Sequence, residues 1–183
     1  MFNHYMKITT VSASALLLAT ASAAATNNNI TIDQAGASAA TASQDGIDNV
    51  IDILQTGTDN SAVVSQDGVS NEVSLSQDGV GNAARVLQSG QDNIAAVSQL
   101  GSFNTVDFSS DGVNNDVTIL QEGDDNDLSL VLEGDDNVAD AAQTGNGNTA
   151  TVGVFGDNNQ VTVGNGDVSF FRAVDGAVIQ LGN

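Results

Sequence analysis

The sequence predicts an all-β fold, a β-solenoid of about six 22-residue coils with two strands per coil and two parallel sheets stacked face to face. Three observations predict it. A glycine recurs every eleven residues, at Gly46, Gly57, Gly68, Gly79, Gly90, Gly101, Gly112, Gly123, Gly134, Gly145 and Gly156. Three places after each stands an asparagine: Asn49, Asn60, Asn71, Asn82, Asn93, Asn104, Asn115, Asn126, Asn137, Asn148 and Asn159. Self-similarity this strict marks a solenoid or an array. Between these landmarks the second and fourth residues after each Asn are apolar, as in Ala62 and Val64, Val73 and Leu75, Val106 and Phe108, or Val117 and Ile119. The residue between them is mostly polar: Asp52, Ser74, Arg85, Asp107, Thr118. That is the period of a strand with one buried face, and glycine in every unit weighs against a helix.

The elements follow in chain order. Residues 1 to about 25 read as a secretory signal peptide, with Lys7 in a short n-region, an apolar run from Val11 to Ala21 and small residues near Ala23 to Ala25 for cleavage. The run is shorter than the ~20 residues a membrane helix needs. Removing the segment takes His4, Tyr5 and Lys7 with it. The mature chain then holds no His, Cys, Tyr, Trp or Lys, and its only cations are Arg85 and Arg172. Most general bases, nucleophile pairs and soft metal ligands are therefore missing, as is a basic patch for nucleic acid.

The repeat region spans 26–164. It opens on an imperfect unit, Asn28 to Gln34 with Gly36, one residue short before Gln44. Each later unit reads as a strand of about six residues ending at Gln, followed by an xGxxN turn. Alternation places Asn60, Ala62, Val64 and Gln66 on one face, and the apolar members make that face the interior. Gln44, Gln55, Gln66, Gln77, Gln88, Gln99, Gln121 and Gln143 point inward with the asparagines. An unpaired buried amide costs about 1–3 kcal/mol. Stacked on an identical amide ~4.8 Å away, it donates to one neighbour and accepts from the other, which makes a ladder.

The coil length comes from the exceptions. Ser110, Leu132 and Val154 stand where Gln is expected, each 22 residues from the next, while Gln55, Gln77, Gln99, Gln121 and Gln143 are unbroken. Departures that keep to alternate units predict two units per coil and two separate columns. Beyond Gly164, Asp167 falls in the glycine column, Phe170 in the asparagine column and Arg172 on the inner face. Residues 165–183 are thus expected to form a degenerate terminal coil or cap.

Net charge is −20, and carboxylates concentrate in the turns: Asp45, Asp48, Asp59, Asp67, Asp78, Asp92, Asp111, Glu122, Asp124, Asp125, Glu133, Asp135 and Asp136. Turns favour Asp, and the charge keeps the chain soluble. Stacking sets Asp45 over Asp67, so repulsion brakes assembly, and acid or Ca²⁺ is expected to relieve it. No cofactor is expected. The oxygen-rich QEGDDN and LEGDDN turns leave Ca²⁺ as a possible ligand, though the nine-residue GGxGxD period of the calcium β-roll is absent. An enzyme is not expected, because these carboxylates recur in copy after copy and form no distinct pair in a cleft. A monomeric secreted solenoid binding a surface, a carbohydrate or Ca²⁺ is the alternative, with outward Thr105, Thr118, Thr149, Thr151 and Thr162 in no continuous row.

The pattern QxGxxNxA with a further Gln, at Gln55, Gly57, Asn60, Ala62 and Gln66 and again at Gln77, Gly79, Asn82, Ala84 and Gln88, resembles the curlin repeat of the secreted curli subunits. The resemblance implies an extracellular functional amyloid at the bacterial cell surface, a fimbria-like fibre serving biofilm matrix, adhesion and cell aggregation. It implies as partners the chain itself as a homopolymer, a companion curlin subunit, and an outer-membrane export and nucleation machinery. It implies neither a nucleic acid nor a small-molecule substrate. The chain departs from the family's major subunit in carrying Asn where that subunit has Ser six residues ahead of Gln.

Overall fold

The computed structural model describes residues 5–10, 16–21, 26–171 and 175–182. Every element among them is a strand, and the strands alternate between two sheets. The first sheet runs in the order β1 (Tyr5–Thr10), β3 (Asn29–Ala35), β5 (Val50–Thr58), β7 (Glu72–Val80), β9 (Ile94–Ser102), β11 (Asp116–Asp124), β13 (Val138–Thr144), β15 (Gln160–Val163) and β17 (Val178–Leu181). The second runs β16 (Val168–Phe171), β14 (Thr149–Phe155), β12 (Asp127–Glu133), β10 (Thr105–Val113), β8 (Ala83–Gln91), β6 (Ser61–Val69), β4 (Ala39–Ile47) and β2 (Leu16–Ala21). All pairings are parallel, and through the body of the stack each residue pairs with the one 22 later, as Val50 with Glu72 and Ser61 with Ala83. The fold is therefore the two-sheet solenoid expected, with β3 to β16 making seven strand pairs instead of about six.

The interior is one thin layer. Ile51, Ile53, Val73, Leu75, Ala95 and Val97 from the first sheet meet Ala62, Val64, Ala84, Val86, Val106 and Phe108 from the second, all at most 4% exposed. Side chains this small bury little area each, so the core alone contributes less than one built from Leu and Phe. Backbone ladders and buried amides carry the rest.

Three features differ from the expectation. Strands β4 to β11 are nine residues long and do not stop at Gln, because pairing continues through the corner, as in Asp45 with Asp67, Gly46 with Gly68 and Ile47 with Val69. A glycine at positive φ bends the chain while its backbone still pairs with the preceding coil, as the Gly134 N–H does with the Asp111 carbonyl and the Gly46 carbonyl with the Thr26 N–H. The first step is short, Asn29 pairing Val50, which absorbs the missing residue of the leading unit. The last coil is short by four, since Ala150 pairs Val168 and Gln160 pairs Val178. That shift moves Phe170 out of the asparagine column and opposite inward Val152, where it packs against the core. Arg172 and the small residues near Ala23 to Ala25 lie outside the described residues.

Candidate functional site: the stacked amides

Each corner is built from two unusual backbone positions. The glycine has φ between 100° and 141° in the eleven corners from Gly46 to Gly156, and in most corners the residue just before Asn is left-handed, for example Asp48, Asp59, Ser70, Asp92 and Asn114. Asp, Asn, Ser and Gly tolerate that conformation. The asparagine that follows ties the corner together. Asn60 Nδ2 donates to the Thr56 carbonyl at 2.9 Å and to the Gly79 carbonyl of the next coil at 3.1 Å. Its Oδ1 accepts the N–H of Asn82 at 3.0 Å and Asn82 Nδ2 at 3.2 Å. Only a short amide offers a donor and an acceptor in this reach, so Asp or Ala cannot replace it in full.

The same bonds recur along the stack, Asn49 to Asn71 to Asn93 to Asn115 to Asn137 to Asn159 in one column and Asn60 to Asn82 to Asn104 to Asn126 to Asn148 in the other. All are buried except Asn148, which is half-buried. Its Nδ2 donates to Asn126 and Thr144, and its Oδ1 accepts from the Gly166 N–H of the shortened coil.

The glutamines form two columns. In the first sheet Gln34 Nε2 donates to Gln55 Oε1, and the chain of bonds continues Gln55 to Gln77 at 2.7 Å, Gln77 to Gln99 at 2.7 Å, Gln99 to Gln121 at 2.9 Å and Gln121 to Gln143 at 2.8 Å. In the second, Gln44 donates to Gln66 at 2.9 Å and Gln66 to Gln88 at 3.0 Å. There the column changes: Gln88 pairs in register with Ser110, Ser110 with Leu132 and Leu132 with Val154. Gln88, at the break, can accept from Gln66 or, turned over, donate to the Glu72 carbonyl and accept from the Ala95 N–H.

Two features of the corners escaped the sequence reading. From Asp124 onward the residue after glycine is Asp or Asn, and its side chain accepts a backbone N–H one coil earlier: Asp124 from Ser102, Asp135 from Val113, Asn146 from Asp124 and Asp157 from Asp135. The signal was the change from Val69, Val80 and Val113 to these residues. The other is Phe103, left-handed at φ 58° and 60% exposed, whose ring lies over Gly81.

The outer surface is plain. Asp45 pairs in register with Asp67 and Asp111 with Glu133, so like charges do stack. Among the described residues no three His, Cys, Asp or Glu side chains come together as a metal ligand set. Arg85 meets Asp107 at 3.1 Å on the exposed face of the second sheet, a contact worth little in water. Asp127 stands between Thr105 and Thr149, and Asp140 between Thr118 and Thr162, so acid interrupts each threonine row. Among the described residues no helix is long and apolar enough to cross a membrane.

The family model for the curlin associated repeat matches residues 68–101 and 134–164. No curated protein and no solved structure matches the chain.

Proposed function

We propose, on the premise that the chain is a curlin-repeat protein, that it is a secreted structural subunit of a curli-type extracellular fibre and has no catalytic role. One observation carries this reading: two open parallel sheets, in register, whose buried amides bond from coil to coil along the stacking axis. An open sheet edge presents unpaired N–H and C=O groups, and a coil of another molecule placed on it repeats the bonds already made inside. Residues 1–25 act as the signal peptide in this proposal. Other copies of the chain, a companion curlin subunit and the export and nucleation machinery of the outer membrane are its partners. No cofactor takes part.

Purified mature protein is expected to bind an amyloid dye and to give fibre diffraction near 4.8 Å and 10 Å. Protein that stays monomeric under all conditions would overturn the reading and favour a surface-binding solenoid. Mass spectrometry of the exported protein should place its first residue close to Ala25. The stacked acidic turns add a measurable consequence. Raising ionic strength from about 10 mM to about 150 mM shrinks the Debye length from ~30 Å to ~8 Å. The assembly lag is expected to shorten several-fold, and an unchanged lag would remove charge repulsion as the brake.

A further inference from the structure

The glutamine columns have a direction. At every step Nε2 donates to the Oε1 one coil nearer the C-terminus. In most of them the other Nε2 hydrogen crosses the interior to a backbone carbonyl of the facing sheet: Asn29 for Gln44, Ala39 for Gln55, Ser61 for Gln77, Ala83 for Gln99, Thr105 for Gln121 and Asp127 for Gln143. Turning one of these amides over would aim its oxygen at that carbonyl. The cross-sheet bond therefore locks the ladder's polarity, and its two ends are chemically different.

At the N-terminal end both columns finish in acceptors. Among the described residues neither Gln34 Oε1 nor Gln44 Oε1 has a hydrogen-bond partner, and the two residues are 0% and 1% exposed. The residues in register over them are Thr10 and Ala21, neither an amide. At the other end the glutamines have run out. The second column has continued as Ser110, Leu132 and Val154, and in the first Asn165 follows Gln143, its Oδ1 taken by the Thr144 N–H. A second copy stacked through its C-terminal coil brings no glutamine to Gln44.

We infer that the N-terminal end is a docking end for a strand pair with glutamine in both columns, whose two free Nε2–H groups fill the orphan acceptors. The occupant is a coil of a glutamine-complete curlin-type chain, preferred over the C-terminal coil of another copy. Strands β1 and β2 lie over this end in register without satisfying it, and the proposed signal peptide carries both. Docking follows their loss, so the inference rests on the proposed removal of that segment and on the fibre reading.

The probe is a labelled synthetic peptide of residues 50–93, which ends on Gln77 in a first-sheet strand and Gln88 in a second-sheet strand, the order in which β1 and β2 lie over β3 and β4, alongside the same peptide with both changed to leucine. Fluorescence anisotropy against the mature chain is expected to show at least tenfold tighter binding of the glutamine peptide. The variant Gln34→Met with Gln44→Met should erase that preference, whereas Gln143→Met should leave it intact. Equal binding of the two peptides, or a preference that survives loss of both acceptors, overturns the inference. So does unlabelled mature chain competing as well as the glutamine peptide. Full-length chain with residues 1–25 in place should bind neither peptide. Recovery of that full-length form from outside the cell would refute the removal step, a separate result from failure of the peptides to discriminate.

Discussion

Gly90→Ala is expected to break the stack in its middle, with a loss of about 4 kcal/mol or more, while Gly145→Ala loses only about 1–3 kcal/mol. Both glycines sit at positive φ, 113° and 100°, so both variants carry the same backbone strain. They differ in what a methyl group meets. At Gly90 a Cβ would stand 1.9 Å from the Gly112 carbonyl oxygen of the next coil, and at Gly145 it would meet nothing within 4 Å. The obstacle at Gly90 is backbone in the neighbouring ladder, not the end of a mobile side chain. Accommodating the methyl means separating these two coils, which also stretches the bond from Asn93 Nδ2 to the Gly112 carbonyl. Guanidinium unfolding followed by far-UV circular dichroism measures the contrast. Equal midpoints for the two variants would mean that φ alone demands glycine and that close approach of the coils does not.

This contrast shows why the corners were only partly legible. Reading Gly as a strand breaker put the end of each strand at Gln, yet the nine-residue strands run on past it. A sequence reports that a residue bends the chain. It does not report that the peptide groups on either side keep their partners in the next coil. The columns were legible for the opposite reason: Ser110, Leu132 and Val154 depart from Gln at the coil spacing, and a departure is shared only by residues that touch. The terminal coil defeated the same logic, because four residues are missing from it and a fixed period of eleven then puts Phe170 in the wrong column. Phe103 had no signal of its own. Its left-handed backbone follows from its place before Asn104, and the room for its ring comes from Gly81, one coil below.

Gln77→Leu is expected to lower stability by about 3–5 kcal/mol, and Gln88→Leu by about 1–2 kcal/mol, although both replace a buried glutamine with a similar apolar volume. Gln77 stands inside an unbroken ladder. It accepts from Gln55 and donates to Gln99 and to the Ser61 carbonyl, so its loss leaves one donor and two acceptors unpaired in the interior. Gln88 is the last amide of its column, with Ser110 beyond it, and its loss removes either the bond from Gln66 or, with the amide turned over, those to the Glu72 carbonyl and from the Ala95 N–H, so no ladder is cut on two sides. An unpaired buried group loses its solvation without return, whereas a site whose partners are all apolar loses nothing of the kind. That asymmetry explains how one column abandons glutamine at Ser110 and then runs on as Leu132 and Val154, both fully buried. It also explains why the first sheet keeps glutamine from Gln34 to Gln143: each change made alone breaks bonds on two sides, and only a change at a column's end breaks them on one. Guanidinium midpoints of the two variants test the argument. If Gln88→Leu proves as costly as Gln77→Leu, the amides contribute through packing volume and the ladder bonds are incidental.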